Sequence, residues 1–185
     1  MKSVLAILVL TVSSALAALT GPQVVVNINQ VATVSGNINS VLGGLSASTS
    51  PADVIAMSKT LVTSFTAIIQ DLTGDITAMQ ATPPLADAAA QTIVTALDNF
   101  VFVHQALLAT VIGQHSVFSR FGVTSPIAAV LRSLEATIDS FAFAMIDLIP
   151  TQSVSVQTSK ATLDSSVGKA TSVYEQLCLP IIGCI

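Results

Sequence analysis

Tryptophan is absent from this 185-residue chain, tyrosine occurs once and cysteine twice. Charge is almost as scarce. Six basic and 10 acidic residues make up 9% of the chain, against roughly 25% in an ordinary soluble domain. So few cations, with an isoelectric point near 4.7, cannot neutralise a run of phosphates, which argues against a nucleic-acid binder. Disorder is excluded from the other direction: the chain is 52% hydrophobic, with a mean hydropathy of +0.81, whereas disordered chains are poor in aliphatics. No N-x-S/T sequon occurs, since Asn27, Asn29, Asn37, Asn39 and Asn99 all fail the pattern. Neither a phosphate-binding loop nor a dinucleotide fingerprint is present, and G-x-S-x-G is missing, so nucleotide and lipase-type chemistry lack support.

The histidines, His104 and His115, lie too far apart on one helix to share a metal. With no nucleophile motif beside them, His104 reads as a satisfied core histidine and His115 as a helix-end residue. Asp71 and Asp75, and likewise Glu135 and Asp139, are carboxylates four apart, a spacing that most often marks a solvated helix face; Arg132 stands three before Glu135 and is expected to pair with it. No catalytic residue, cofactor or metal is expected. Two thiols without nearby His or acid make a poor zinc site. In an oxidising compartment Cys178 and Cys184 are expected to close a small disulfide loop around Pro180 and Gly183.

The first residues supply that compartment. Met1-Lys2-Ser3 is a short positive start, Val4 to Val12 is apolar except for Thr11, and Ser13 to Ala17 ends in an A-x-A frame. This is the pattern of a secretory signal peptide over 1–17, cut after Ala17, and its apolar stretch is too short to cross ~30 Å of hydrocarbon. Residues 18–185 then form a single domain. No run of 18 apolar residues remains in it, and the LPIIGCI terminus lacks the long hydrophobic tail of a lipid-anchor signal. The expectation is a secreted protein without a transmembrane segment.

Punctuation and periodicity define five helices. Ser50-Pro51, Thr82-Pro83 and Ser125-Pro126 read as starts, and Gly43-Gly44, Gly122 and Pro150 as ends. Apolar residues recur at steps of three and four in every segment, for instance Ile127, Leu131, Leu134, Ile138, Phe141, Met145 and Leu148. Helices are expected near 24–44, 51–80, 83–119, 126–149 and 155–177, in an all-α antiparallel bundle with short loops. The third is apolar nearly all round from Phe100 to Ile112 and is expected at the centre, with Gly113 as a point where it bends or breaks. Polar faces carry Ser and Thr in place of Lys and Glu: Thr60, Thr63, Ser64 and Thr66 in the second helix, Thr158, Ser159, Thr162, Ser165 and Ser166 in the fifth.

The phrase Val31-Ala32-Thr33-Val34 with nearby Asn37, and the Thr82-Pro83-Pro84-Leu85 linker before an alanine-rich helix, resemble the fungal hydrophobic surface binding protein A family, which includes the cell-wall galactomannoproteins. The resemblance covers essentially the whole chain after the leader. It implies a five-helix bundle without catalytic activity, capture of fatty acids in an apolar tunnel, or adsorption to hydrophobic solids with recruitment of a secreted hydrolase, and localisation outside the cell or at the wall.

From the residues themselves, surplus Phe and Met point to an internal lipid site. Met57, Phe65, Met79, Phe100, Phe102, Leu107, Phe141, Phe143 and Met145 are the expected lining. Methionine adapts to a bent chain, and ligand sites commonly lie between bundle helices. Lys59 and Arg120 are the candidate head-group donors. The alternative is a coat protein that exposes apolar helix faces to wax, cuticle or polyester.

Overall fold

The computed structural model describes residues 18–176 and the backbone of 178–179 and 183–184. Six helices follow in order: α1 (Gly21–Leu42), α2 (Pro51–Gln80), α3 (Asp87–Gly113), a short α4 (His115–Ser119), α5 (Thr124–Leu148) and α6 (Ser153–Glu175). A single turn of 3-10 helix, Pro150–Gln152, precedes α6, and a two-residue ladder pairs β1 (Cys178–Leu179) with β2 (Gly183–Cys184). The all-α bundle expected from periodicity is the fold observed. The signal-peptide reading of 1–17 lies outside the described residues.

Local chemistry explains the boundaries that differ. Helix α1 starts at Gly21 rather than near 24, because Thr20 caps it and donates its backbone N–H to Gln23 Oε1 at 2.8 Å. Ser50 caps α2 as read, accepting the Asp53 N–H, with Pro51 in the first turn. The start expected at Pro83 fails. Pro84 follows it, and the residue before a proline is pushed out of the helical region. Residues 82–86 instead form a strap, pinned by Leu85 N–H to Leu148 O at 2.8 Å. Helix α3 begins four residues later at Asp87, whose carboxylate accepts from Thr151 at 2.9 Å and Gln152 at 3.3 Å. The long third segment breaks after Gly113 into α3 and α4. Gly122, at φ +67°, turns the chain into α5 with a backbone geometry that side chains resist.

Consecutive long helices alternate in direction, but the packing order is α1–α3–α6–α5–α2. Cross-helix pairs set the directions. Ser35 meets His104, Ser159 meets Asp98 and Gln105 meets Ser166, so α1, α3 and α6 run parallel. Asn27 meets Asp75 and Lys160 meets Asp139, so α2 and α5 run the other way. Gly21 lets α1 start directly on α3: a Cβ there would stand 2.8 Å from Ala89 Cβ. Helices α1 and α2, the ends of this sequence of contacts, close the ring with a sparse seam.

The expected central position of the third helix is corrected. Helix α3 buries Phe100, Val101, His104, Leu107, Leu108 and Val111, but its Phe102, Ala106 and Ala109 face outward, with Phe102 73% exposed. Apolar composition misled because Ala and Phe there do not touch the core. By length and composition α2 and α3 would both reach across a membrane, yet each packs in the bundle.

Helix α6 is held by polar contacts on both flanks. Tyr174 donates its hydroxyl to Val111 O at 2.7 Å, and Lys160 bridges Asp139 at 2.5 Å and Asp164 at 2.6 Å. Arg132 pairs with Glu175 of α6, not with Glu135 as its spacing suggested. Replacing Tyr174 with Phe removes this buried bond, leaving Val111 O with the Gln114 N–H at 3.2 Å, and is expected to cost about 1 kcal/mol, read as a lower urea midpoint with an unchanged slope.

Candidate functional site

The interior is packed. Phe65, Met79, Phe100, Leu107, Phe141 and Met145 all lie in one continuous core with 0–6% exposure. Met57 is half-buried at its edge. Phe102 and Phe143, read from sequence as lining, stand 73% and 64% exposed and belong to the surface. Their helices are right but their faces are not: each lies two residues from a buried phenylalanine, and that offset turns about 200° around a helix.

The apolar cleft that enters this core lies in the α1–α2 seam. It holds about 170 Å³ between Ile38, Val41 and Leu42 of α1 and Met57, Leu61 and Ser64 of α2. At the far end of the seam the two helices are tied by Asn27 Nδ2 donating to Asp75 Oδ1 at 2.5 Å, and Thr82 Oγ1 there accepts the Leu19 N–H at 2.8 Å. Burial, opposed by the Asn27 hydrogen bond, holds the Asp75 carboxyl above its ordinary range. At the near end the helices are joined by residues 43–50. That connection is braced by Gln114 and Arg120, which donate to Leu45 O and Ala47 O, each at 3.4 Å.

Arg120, a candidate head-group donor, is therefore engaged at the surface, with its guanidinium also 5.8 Å from the Phe121 ring centre. Lys59, the other, is exposed on α2 outside the cleft lining. A second feature was missed in the sequence. An open groove of about 410 Å³ runs between α3 and α6, edged by Phe102, Leu108, Ile112 and Lys169. The repeating Phe102, Ala106, Ala109 stripe was the signal that could have found it.

His104 is the polar group at the centre. It is fully buried, with Nδ1 2.9 Å from Ser35 Oγ, which is also fully buried. Phe100 stacks on it tilted at 5.2 Å and Phe65 meets it edge-on at 6.1 Å between ring centres. The expected satisfied histidine is satisfied at one nitrogen only; Nε2 is buried without a hydrogen-bond partner. His115 is buried at the start of α4, edge-on to Tyr174 at 4.9 Å. Among the described residues no three His, Cys, Asp or Glu side chains converge on a point that could hold a metal.

The described residues thus form a helical bundle with an apolar seam between α1 and α2. The chain belongs to the hydrophobic surface binding protein A family, whose pattern matches residues 23–147. Comparison with curated proteins by sequence gives no match. Among solved structures it is similar to Afmp4p in complex with palmitic acid, with a TM-score of 0.75 and 14% identity over 84% of this chain and 100% of that one. It is also similar to ligand binding domain 1 of the Penicillium marneffei MP1 protein complexed with arachidonic acids (TM-score 0.66, 14% identity, 82% of this chain and 99% of that one). Ligand binding domain 2 of the same protein, again with arachidonic acids, matches at a TM-score of 0.70 and 12% identity over 90% of this chain and 96% of that one. At such identities the likeness is one of fold.

Burial pushes the His104 ring down from 6.5 to about 4. In the unfolded chain the ring takes up its proton near pH 6.5. Between those values the unfolded state binds more protons, so stability falls as pH drops through this window and the effect is complete below it. At about 1.4 kcal/mol per pH unit the loss is roughly 3 kcal/mol. Urea midpoints at about pH 7 and about pH 4 are expected to differ less in His104→Leu than in the unaltered protein.

Proposed function

We propose that this protein binds long apolar ligands, fatty acyl chains foremost, through the α1–α2 seam, and performs no chemistry on them. The observation that carries this reading is the apolar cleft between Ile38, Leu42, Met57 and Leu61, placed where the ring of helices is most sparsely closed. Ligand pockets start near ~300 Å³. A cleft of about 170 Å³ therefore admits a whole chain only when α1 and α2 part, with the Asn27–Asp75 end as the hinge. Parting opens the wall onto Phe65, Phe100, Leu107 and Met145, the core residues read as lining. The fatty-acid complexes named for Afmp4p and the MP1 domains support the same ligand class.

The test is titration of delipidated protein with palmitate. Saturable binding below the micelle range is expected, and its absence would end the reading. Ser64→Phe fills the cleft from its half-buried rim, and is expected to reduce uptake at least tenfold while leaving the unfolding midpoint within about 1 kcal/mol of the parent, because the rim can shift outward.

A second reading rests on a different observation, the exposure of Phe102, Phe143 and Val154. Through these side chains the protein would adsorb to wax, cuticle or polyester and present a secreted hydrolase to it. Phe102→Ser with Phe143→Ser is expected to weaken adsorption to a hydrophobic bead and to leave palmitate titration unchanged.

Both readings suit a secreted protein, released after Ala17 and carrying a Cys178–Cys184 disulfide. The side chains of both cysteines lie outside the described residues, but the ladder sets their Cα atoms opposite each other in antiparallel register, a relation a disulfide accepts. Intact mass of secreted material is expected to begin at Ala18 and to lack the two thiol hydrogens. So small a loop limits the stabilisation to about 2–3 kcal/mol.

A further inference from the structure

Resting on the lipid-binding reading above, we infer that His104 and Ser35 form the internal polar anchor of the ligand site, and that the ligand carries a carbonyl oxygen at the end of its chain. The argument begins with proton placement. The Ser35 hydroxyl lies 2.9 Å from His104 Nδ1 and has no other hydrogen-bond acceptor among the described residues. If Nδ1 carried the ring proton, the hydroxyl proton and the Nε2 lone pair would both be orphaned. With the hydroxyl donating to Nδ1, the ring proton sits on Nε2 and only that N–H is orphaned. Nε2 is buried with no partner, and buried donors are almost always paired in folded proteins.

Position links this donor to the seam. Ser35 lies one helical turn before Ile38 on α1, and Phe65, whose ring meets the imidazole, lies one turn after Leu61 on α2. Ile38 and Leu61 both line the cleft. An apolar chain entering there and passing between α1 and α2 meets a single N–H donor one turn beyond the cleft. That donor defines the head group. It needs an acceptor, which excludes an ammonium. It is one uncharged group among aromatic rings, which excludes a phosphate, because a buried phosphate needs several donors and a counter-charge. Burial keeps the imidazole neutral, in keeping with an uncharged carbonyl as its partner. A fatty acid taken up in its protonated form and a fatty acyl ester both supply one.

The experiment uses the mature full-length protein with 15N-labelled histidine, delipidated and titrated separately with palmitic acid, methyl palmitate and hexadecane. Both carbonyl probes, or whichever of the two is the true class, are expected to shift the His104 Nε2–H resonance, while hexadecane binds without moving it. The carbonyl probe is expected to bind about tenfold more tightly than hexadecane, the scale of one buried hydrogen bond. His104→Phe and Ser35→Ala are expected to reduce that preference while keeping hexadecane binding. The resonance measurement stands on the unaltered protein, so it decides the matter even where a variant fails to fold. Equal binding of all three probes with an unmoved His104 signal would overturn the anchor and leave the seam standing. No saturable binding of any probe would overturn both.

Discussion

Helix α6 is the element on which the two halves of the bundle lean. It is the least apolar of the long helices, contributing Val156, Leu163, Val167, Ala170 and Tyr174 to the core. What fixes it is polar. Ser159 to Asp98, Gln105 to Ser166 and Tyr174 to Val111 O hold its α3 side, while Lys160 to Asp139 and Arg132 to Glu175 hold its α5 side. In a chain this poor in charge, concentrating most cross-helix ion pairs on one helix is itself a constraint. One face of the bundle is stapled by hydrogen bonds. The opposite face, between α1 and α2, depends on apolar contact through its middle and has its polar tie at one end. Apolar contact is non-directional, so that seam can part and re-form at a cost proportional to the area it uncovers, which a bound alkyl chain would cover again.

The same scarcity of charge shapes the outer surface. Exposed hydroxyls of Thr60, Thr66, Thr73 and Thr77 on α2, and of Thr158 and Thr162 on α6, donate to the carbonyl four residues earlier in their own helix. A threonine bonded in this way spends its proton on the backbone and turns a methyl group outward. The helix faces are therefore neutral, partly methylated and weakly hydrated, and exposed Phe102, Phe143 and Val154 stand on them. Such a surface carries few fixed charges to be desolvated when it meets wax or polyester. The two proposed readings, interior uptake and surface adsorption, would draw on this one composition.

The sequence carried the fold further than the site. The three-four ladders of α2 and α5 located both helices within two residues, because each ladder faces the core along its whole length. The Thr82-Pro83 pair points to a helix start at 83, but Pro84 beside it pushes Pro83 out of the helical region and α3 starts at Asp87. Short loops point to consecutive helices as antiparallel neighbours, which holds for α5 with α6 and, sparsely, for α1 with α2, but α3 packs on α1 and α6 instead. Order α1–α3–α6–α5–α2 follows from contacts such as Gly21 on Ala89 and Ser35 on His104, between residues about seventy apart with no local signal. Six of the nine residues read as lining are core residues, but periodicity cannot separate a core residue from a ligand-facing one, and it placed Phe102 and Phe143 on the wrong face.

His104 shows most clearly what composition conceals. A lone histidine in an apolar run reads as a core residue with its needs met, and by frequency that is the sound reading. The structure meets one need, at Nδ1, and leaves the other open among Phe65 and Phe100. An apolar residue of similar size at 104 would pack without an orphaned donor and without titrating as the pH falls. The bundle accepts both liabilities at the point where the seam, if opened, would deliver the end of an alkyl chain. A polar group that weakens the empty bundle and is satisfied by an occupant raises affinity for carbonyl-bearing chains over plain hydrocarbon, because the desolvation of the donor has already been incurred on folding.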